Sequence, residues 1–90
     1  MILKPLSDGR ISGTGQLKLD NRIFGGAIIS ADGTNAAIVS IKNDDEFGKT
    51  IFSISTKSPA AVFGPFQGSE SIYYSVSGTG ATAQLYEWVD

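Results

Sequence analysis

The chain reads as an all-β domain: a β-sandwich, jelly-roll-like, of about eight short antiparallel strands with little or no helix. Three observations predict it. Apolar and polar residues alternate in nearly every apolar run, the period of a half-buried strand. Eleven glycines are spread through 90 residues, and each costs about 1 kcal/mol relative to alanine inside a helix. Turn residues separate the runs at roughly the 8–12-residue spacing of sandwiches and barrels.

Taken in order, the strands are expected near 2–6, 15–19, 22–30, 36–42, 50–56, 60–66, 71–76 and 81–89. The first, in "MILKPL", contains Pro5, which cannot donate to a strand ladder, so residues 1–8 are expected as an N-terminal arm or an edge strand. Residues 9–90 are expected as one sandwich domain, since a second core would leave both too small to stand. Leu17 and Leu19 oppose Gln16 and Lys18. "RIFGGAIIS" is apolar on both parities, so it should be covered on both sides or meet a partner, and Gly25-Gly26 suggests a bulge or a close backbone approach. Ala37, Val39 and Ile41 share one side of their strand, Phe52 and Ile54 of the next, and Ile72, Tyr74 and Val76 of the seventh. In the last strand Ala83, Leu85 and Val89 share the inner parity, which puts Tyr86 and Trp88 outside.

The connections are rich in Gly, Asp and Asn: Asp8-Gly9, Gly13-Thr14-Gly15, Asp20-Asn21, Asp32-Gly33-Thr34-Asn35, Asn43 to Gly48, Gln67-Gly68 and Gly78-Thr79-Gly80. The recurring Gly-Thr-Gly/Asn stretches read as strand reversals, because Gly supplies positive φ and Asp or Asn tolerates it.

Composition excludes several classes of function. A net charge of −2, with Lys4, Arg10, Lys18, Arg22, Lys42, Lys49 and Lys57 scattered singly, lacks the clustered basic face of a nucleic-acid binder. There is no cysteine and no histidine, which excludes disulfides, thiolate nucleophiles and His-based triads. No apolar run approaches the roughly 20 residues of a membrane-spanning helix, and the N-terminal run is too short for a signal peptide. A soluble, non-membrane protein is expected.

Two stretches imitate chemical motifs. "FGKT" at 47–50 looks like the end of a phosphate-binding loop, but Asn43 stands where its first glycine belongs and "IFSIS" follows instead of a helix. "NDDEFG" gathers Asn43, Asp44, Asp45 and Glu46, yet lacks the alternate spacing of an EF-hand. Both read as a solvated hairpin loop. No catalytic residue, cofactor site or metal site is expected, and the chain is read as no enzyme.

What remains is binding. Trp and Tyr are the residues that anchor interfaces, so Tyr73, Tyr86 and Trp88 are candidate partner contacts. Phe24 and Ile28 join them from the doubly apolar strand, and Ile2, Leu3 and Leu6 from the N-terminal segment. An exposed apolar strand invites association, and closed three-fold symmetry leaves no unpaired interface, so a homotrimer is expected.

The succession "GGAIISADGTNAAIVSIKNDDEFGKTIFSIS" and "GPFQGSESIYYSVSGTGATAQLYE" resembles a group of small virion proteins of tailed bacteriophages. The matching positions are Gly26, Asp32 to Ala36, Ser77 to Ala81 and Tyr86, over roughly residues 22–87. The resemblance implies a β-sandwich on the particle surface, often trimeric. It implies a capsid decoration (cement) protein bound to the major capsid protein, or else a tail, baseplate or fibre module. A sugar-binding module using the surface aromatics is the alternative from outside that group. Members of the group carry Asn-Gly before the second-last strand, where this chain has "QGSESIYY".

Overall fold

The computed structural model describes residues 2–6 and 10–89. Its elements are β1 (Ile2–Pro5), β2 (Gly13–Lys18), β3 (Ile23–Ser30), β4 (Ala37–Asn43), β5 (Thr50–Thr56), β6 (Ala60–Gln67), β7 (Ser71–Ser77) and β8 (Thr82–Val89). All eight expected strands form, with ends shifted by at most two residues, and there is no helix among the described residues. The expected turn at Asp8-Gly9 lies outside them.

The strands form two four-stranded antiparallel sheets, ordered β1-β8-β3-β6 (sheet A) and β2-β7-β4-β5 (sheet B). That order follows from one operation. The chain is folded in half at the β4–β5 loop, so that Ile41 faces Phe52, Ile23 faces Gln67, Leu17 faces Ile72 and Ile2 faces Val89. Rolling this long two-stranded ribbon brings β3 beside β8 and β4 beside β7. The result is the eight-stranded jelly roll, which stacks two sheets over one core. β1 is an edge strand of the chain's own sandwich, as Pro5 permits, rather than a detached arm.

Only β4 and β5 are consecutive strands that pair; every other connection crosses between sheets. The Asp32–Asn35 and Gly78–Gly80 stretches are therefore arches from one sheet to the other, not hairpin reversals. A Cβ on Gly80 would stand 3.1 Å from the Asp32 Cβ, so the two arches lie side by side. Their similar sequences solve one problem twice. "QGSES" likewise crosses from sheet A to sheet B, with no hairpin register to set. Gly13-Thr14-Gly15 is no turn either: it begins β2. Gly15 faces Tyr74, and a Cβ there would sit 2.6 Å from the Tyr74 hydroxyl oxygen.

The inner faces follow the alternation. Leu19, Phe24, Ala27, Ile29, Ala37, Val39, Ile41, Ile72, Val76, Ala81, Ala83 and Leu85 are buried, and Leu17, Phe52, Ile54, Phe66 and Tyr74 pack against them. Phe24, Phe52 and Phe66 close one end of the core, with ring centroids 5.6–6.2 Å apart, and join the two sheets there. One charged residue, Glu87, is also buried; its Oε1 accepts the Asp20 backbone N–H at 2.9 Å.

The double apolar parity of β3 has a local cause. The register of β3 shifts between Phe24 and Gly26 against both neighbours, so the inward parity changes from Phe24 to Ala27 and Ile29. One bulge absorbs most of the apolar residues into a single core, leaving Ile28 outside. Gly26 holds φ +134°, and a Cβ there would overlap the Val62 carbonyl oxygen.

Two predictions follow from the backbone. Gly26→Ala costs about 3 kcal/mol or more, from overlap added to left-handed strain. Gly33→Ala, at φ +90° with open space around it, costs about 1 kcal/mol; equal losses on thermal unfolding would contradict the bulge geometry. At the first arch, the Asp32 carboxylate accepts the Thr34 and Asn35 N–H groups and the Asn35 side-chain amide. The Asn35 backbone bond first, then its side chain and the Thr34 N–H, hold the Asp32 carboxyl below its ordinary value. A depressed folded-state pKa adds stability above the unfolded value and loses it as pH falls through the folded one. Asp32→Ala should therefore lower Tm at pH 7, and the gap should begin to narrow only as pH falls below about 4; a gap that stays unchanged on further acidification would show that the carboxylate is not responsible.

Candidate binding face

The outward sides of the two sheets differ in chemistry, and the pairing shows how. Residues directly opposite on antiparallel strands share a face. Across the outside of sheet A, Leu3 faces Trp88; Pro5, Tyr86, Gly26 and Phe63 form the next row; Gln84, Ile28 and Ala61 the one after. Because Gly26 has no side chain, the Phe63 and Tyr86 rings meet across it, with centroids 5.9 Å apart. Phe63 is 47% exposed and Ile28 39%. Sheet B presents Thr14, Ser75, Ser40 and Ser53 in one row and Ser77, Ile38 and Ser55 in another. One face is aromatic and aliphatic, the other mostly hydroxyl.

The expected partner contacts divide accordingly. Leu3, Ile28, Tyr86 and Trp88 gather on sheet A's outer face. Ile2 is exposed on the opposite parity of β1, at the rim. Leu6 packs against the core, with its N–H donating to the Leu85 carbonyl at 2.8 Å. Phe24 is fully buried in the aromatic cluster and unavailable to a partner, because the bulge turns it inward. Tyr73 lies on sheet B, between Gln16 and Lys42, on the far side of the molecule from Tyr86 and Trp88. Phe63 belongs to the face although sequence reading missed it. The alternation "AVFGPF" could have revealed it, since Val62 and Phe66 share the inner parity and Phe63 does not.

Trp88 is half-buried, and its indole N–H is buried with no hydrogen-bond partner among the described residues. Such a donor ordinarily costs about 1–3 kcal/mol.

Elsewhere the surface offers little chemistry. A shallow cleft of about 320 Å³ opens between the ends of β4, β5 and β6, lined by Asn43, Lys49, Thr50, Ile51, Phe66 and Gln67. Lys49 is its single charged side chain. The loop between β4 and β5 is tied by its own backbone: Asn43 N–H donates to the Lys49 carbonyl and Gly48 N–H to the Asp45 carbonyl. The Asp45 carboxylate accepts the Phe47 N–H at 2.9 Å. No three His, Cys, Asp or Glu side chains among the described residues stand close enough to hold a metal ion. No helix is long and apolar enough to cross a membrane among those residues. No protein-family model, curated protein or solved structure matches this chain.

The orphaned indole N–H yields a prediction. Trp88→Phe removes the unpaired donor while keeping an aromatic ring, so Tm should hold or rise, whereas Trp88→Ala should lower it. A substantial loss in Trp88→Phe would mean that the N–H is satisfied in solution.

Proposed function

We propose that the chain is a structural protein of a tailed-bacteriophage particle, a capsid decoration (cement) protein that seats sheet A's outer face on its partners. The observation that carries this reading is the difference between the two faces. Apolar patches rimmed by polar residues mark interaction surfaces on small soluble domains, and Leu3, Ile28, Phe63, Tyr86 and Trp88 form one. The serine-rich face of sheet B suits contact with water. In this reading the apolar face makes both the subunit contacts of a homotrimer and the contact with the major capsid protein. The resemblance to small virion proteins supplies the particle; the face supplies the means of holding it. The protein acts by binding and carries out no reaction. Sugar binding is less well supported, since Tyr73 stands on the sheet opposite Tyr86 and Trp88 and the three rings cannot form one platform.

Two measurements test the proposal. Mass spectrometry of purified particles should find the chain in hundreds of copies each; a handful would place it in a tail or baseplate. Particles stripped of the chain should rebind it, and Ile28→Ser with Phe63→Ser should weaken that rebinding at least about ten-fold, the loss of roughly one good apolar contact. Ser40→Ala with Ser75→Ala, on the other face, should leave it unchanged. Equal effects from both pairs would defeat the assignment of the face.

A further inference from the structure

The β4–β5 loop holds a large apolar side chain out in water. Phe47 is 86% exposed, more than any other large apolar residue among those described. A lone exposed apolar residue is ordinary on a small domain; the support under this one is not. Asn43 N–H donates to the Lys49 carbonyl at 2.9 Å and Gly48 N–H to the Asp45 carbonyl at 3.0 Å, so the loop closes on itself. Asp44 N–H donates to the Ser71 carbonyl at 3.0 Å, and the Asp44 carbonyl accepts the Gln16 side-chain amide at 2.6 Å. The Lys42 ammonium donates to the Glu46 carbonyl at 3.1 Å, and Phe47 N–H to the Asp45 carboxylate at 2.9 Å. Strands β2, β4 and β7 thus brace the loop. A braced side chain loses little freedom when it is covered.

The cleft at the same end of the molecule is its counterpart. Asn43 and Lys49, whose bond closes the loop, stand in the cleft wall, and Phe47 is two residues from Lys49. The apolar lining is Ile51 and Phe66. Ile51 is the extra residue of a bulge in β5, since Lys42 faces Thr50 and Ile41 faces Phe52. Phe66 belongs to the cluster with Phe24 and Phe52, so the cleft opens onto the aromatic end of the core. An apolar cavity of about 150 Å³ takes up benzene, so the volume of about 320 Å³ leaves room for a phenyl ring. No carboxylate lines the cleft. Lys49 has no ion pair among the described residues, although three acids precede it in the loop.

We propose that the Phe47 ring of one copy enters the cleft of a second copy, and that a two-fold axis beside the loop repeats the contact. Ring and cleft adjoin on one patch, and a two-fold interface needs a patch that supplies both halves of its own contact. Entry of the ring carries the preceding residue, Glu46, to the rim where the second copy's Lys49 stands. Each loop holds three carboxylates and the ammoniums of Lys42 and Lys49, so both signs are offered on each side of the axis. The pairing is weak, since one ring and one loop from each copy bury less than the roughly 1,200 Å² of a stable interface. It takes effect where copies are held close together. The site shares no residue with sheet A's outer face and does not depend on the proposed particle role.

The test starts from the full chain carrying Ile28→Ser and Phe63→Ser, so that any self-contact of the apolar face is already removed. Sedimentation over about 10 µM to 1 mM chain should show monomer and dimer and nothing larger. Adding Phe47→Ser, which removes the ring, should weaken the dimer at least about ten-fold. Thr50→Trp, which fills the cleft from its wall, should do the same. Phe47 and Thr50 are both exposed, so Tm should stay where it was. A mixture of the two variants should dimerise more than either alone, because one intact ring then meets one intact cleft. Monomer alone at the highest concentration, a dimer indifferent to both substitutions, a mixture no better than its parts, or growth beyond the dimer would overturn the proposal.

Discussion

The rest of the structure depends on one pairing, that of the chain's first half with its second. Residues on either side of the β4–β5 loop meet in antiparallel register out to Ile2 and Val89. A ribbon this long with one apolar face cannot stay flat in water, so it coils until that face meets itself. The coil puts β3 against β8 and β4 against β7, and both the core and the outward faces follow from that closure. Sheet A's outer face is apolar because the residues left outside by the roll happen to be Leu3, Ile28, Phe63, Tyr86 and Trp88. Its aromatic contact exists because Gly26 leaves a gap between two rings.

Much of this was legible in the residues. Period-2 alternation located every strand, and it assigned the inner faces of β4, β5 and β7, because a side chain's face is decided by its immediate neighbours in the chain. Pro5 narrowed its segment to an arm or an edge strand, and the double glycine its own position to a bulge or a close approach, for the same reason: each acts on the backbone where it stands. What could not be read locally was which strand lies beside which. A turn between strands of one sheet and an arch between two sheets use the same Gly, Asp and Asn chemistry, so the Gly-Thr stretches could not announce that they cross. Gly13 to Gly15 misled for a related reason. Those glycines answer to the Tyr74 ring on another strand, not to a bend in their own.

The candidate face shows the same boundary. Tyr86 and Trp88 could be placed outside from the parity of β8 alone. Phe24 could not be placed inside, because the bulge that turns it inward changes parity at the residue itself. Tyr73 was correctly an outward residue, but only the roll decides that its outside is the hydroxyl-rich one. Tyr73 therefore belongs to one surface and Tyr86 with Trp88 to the other, and an interface built on either face uses only one of these sets.

The nesting of the strand pairs also sets an order in which the molecule can be assembled. Ile41 and Phe52 are near in sequence, whereas Ile2 and Val89 span the chain. Closing the outer pair first would enclose a loop about three doublings longer, which costs about 2 kcal/mol more in chain entropy. Begun at the β4–β5 loop, each later pair closes only a short extension of the one before. Residues 44–49, with their acids, thus occupy the cheapest point from which to start. By the same count β1, whose pairing with β8 spans nearly the whole chain, closes the longest and costliest loop.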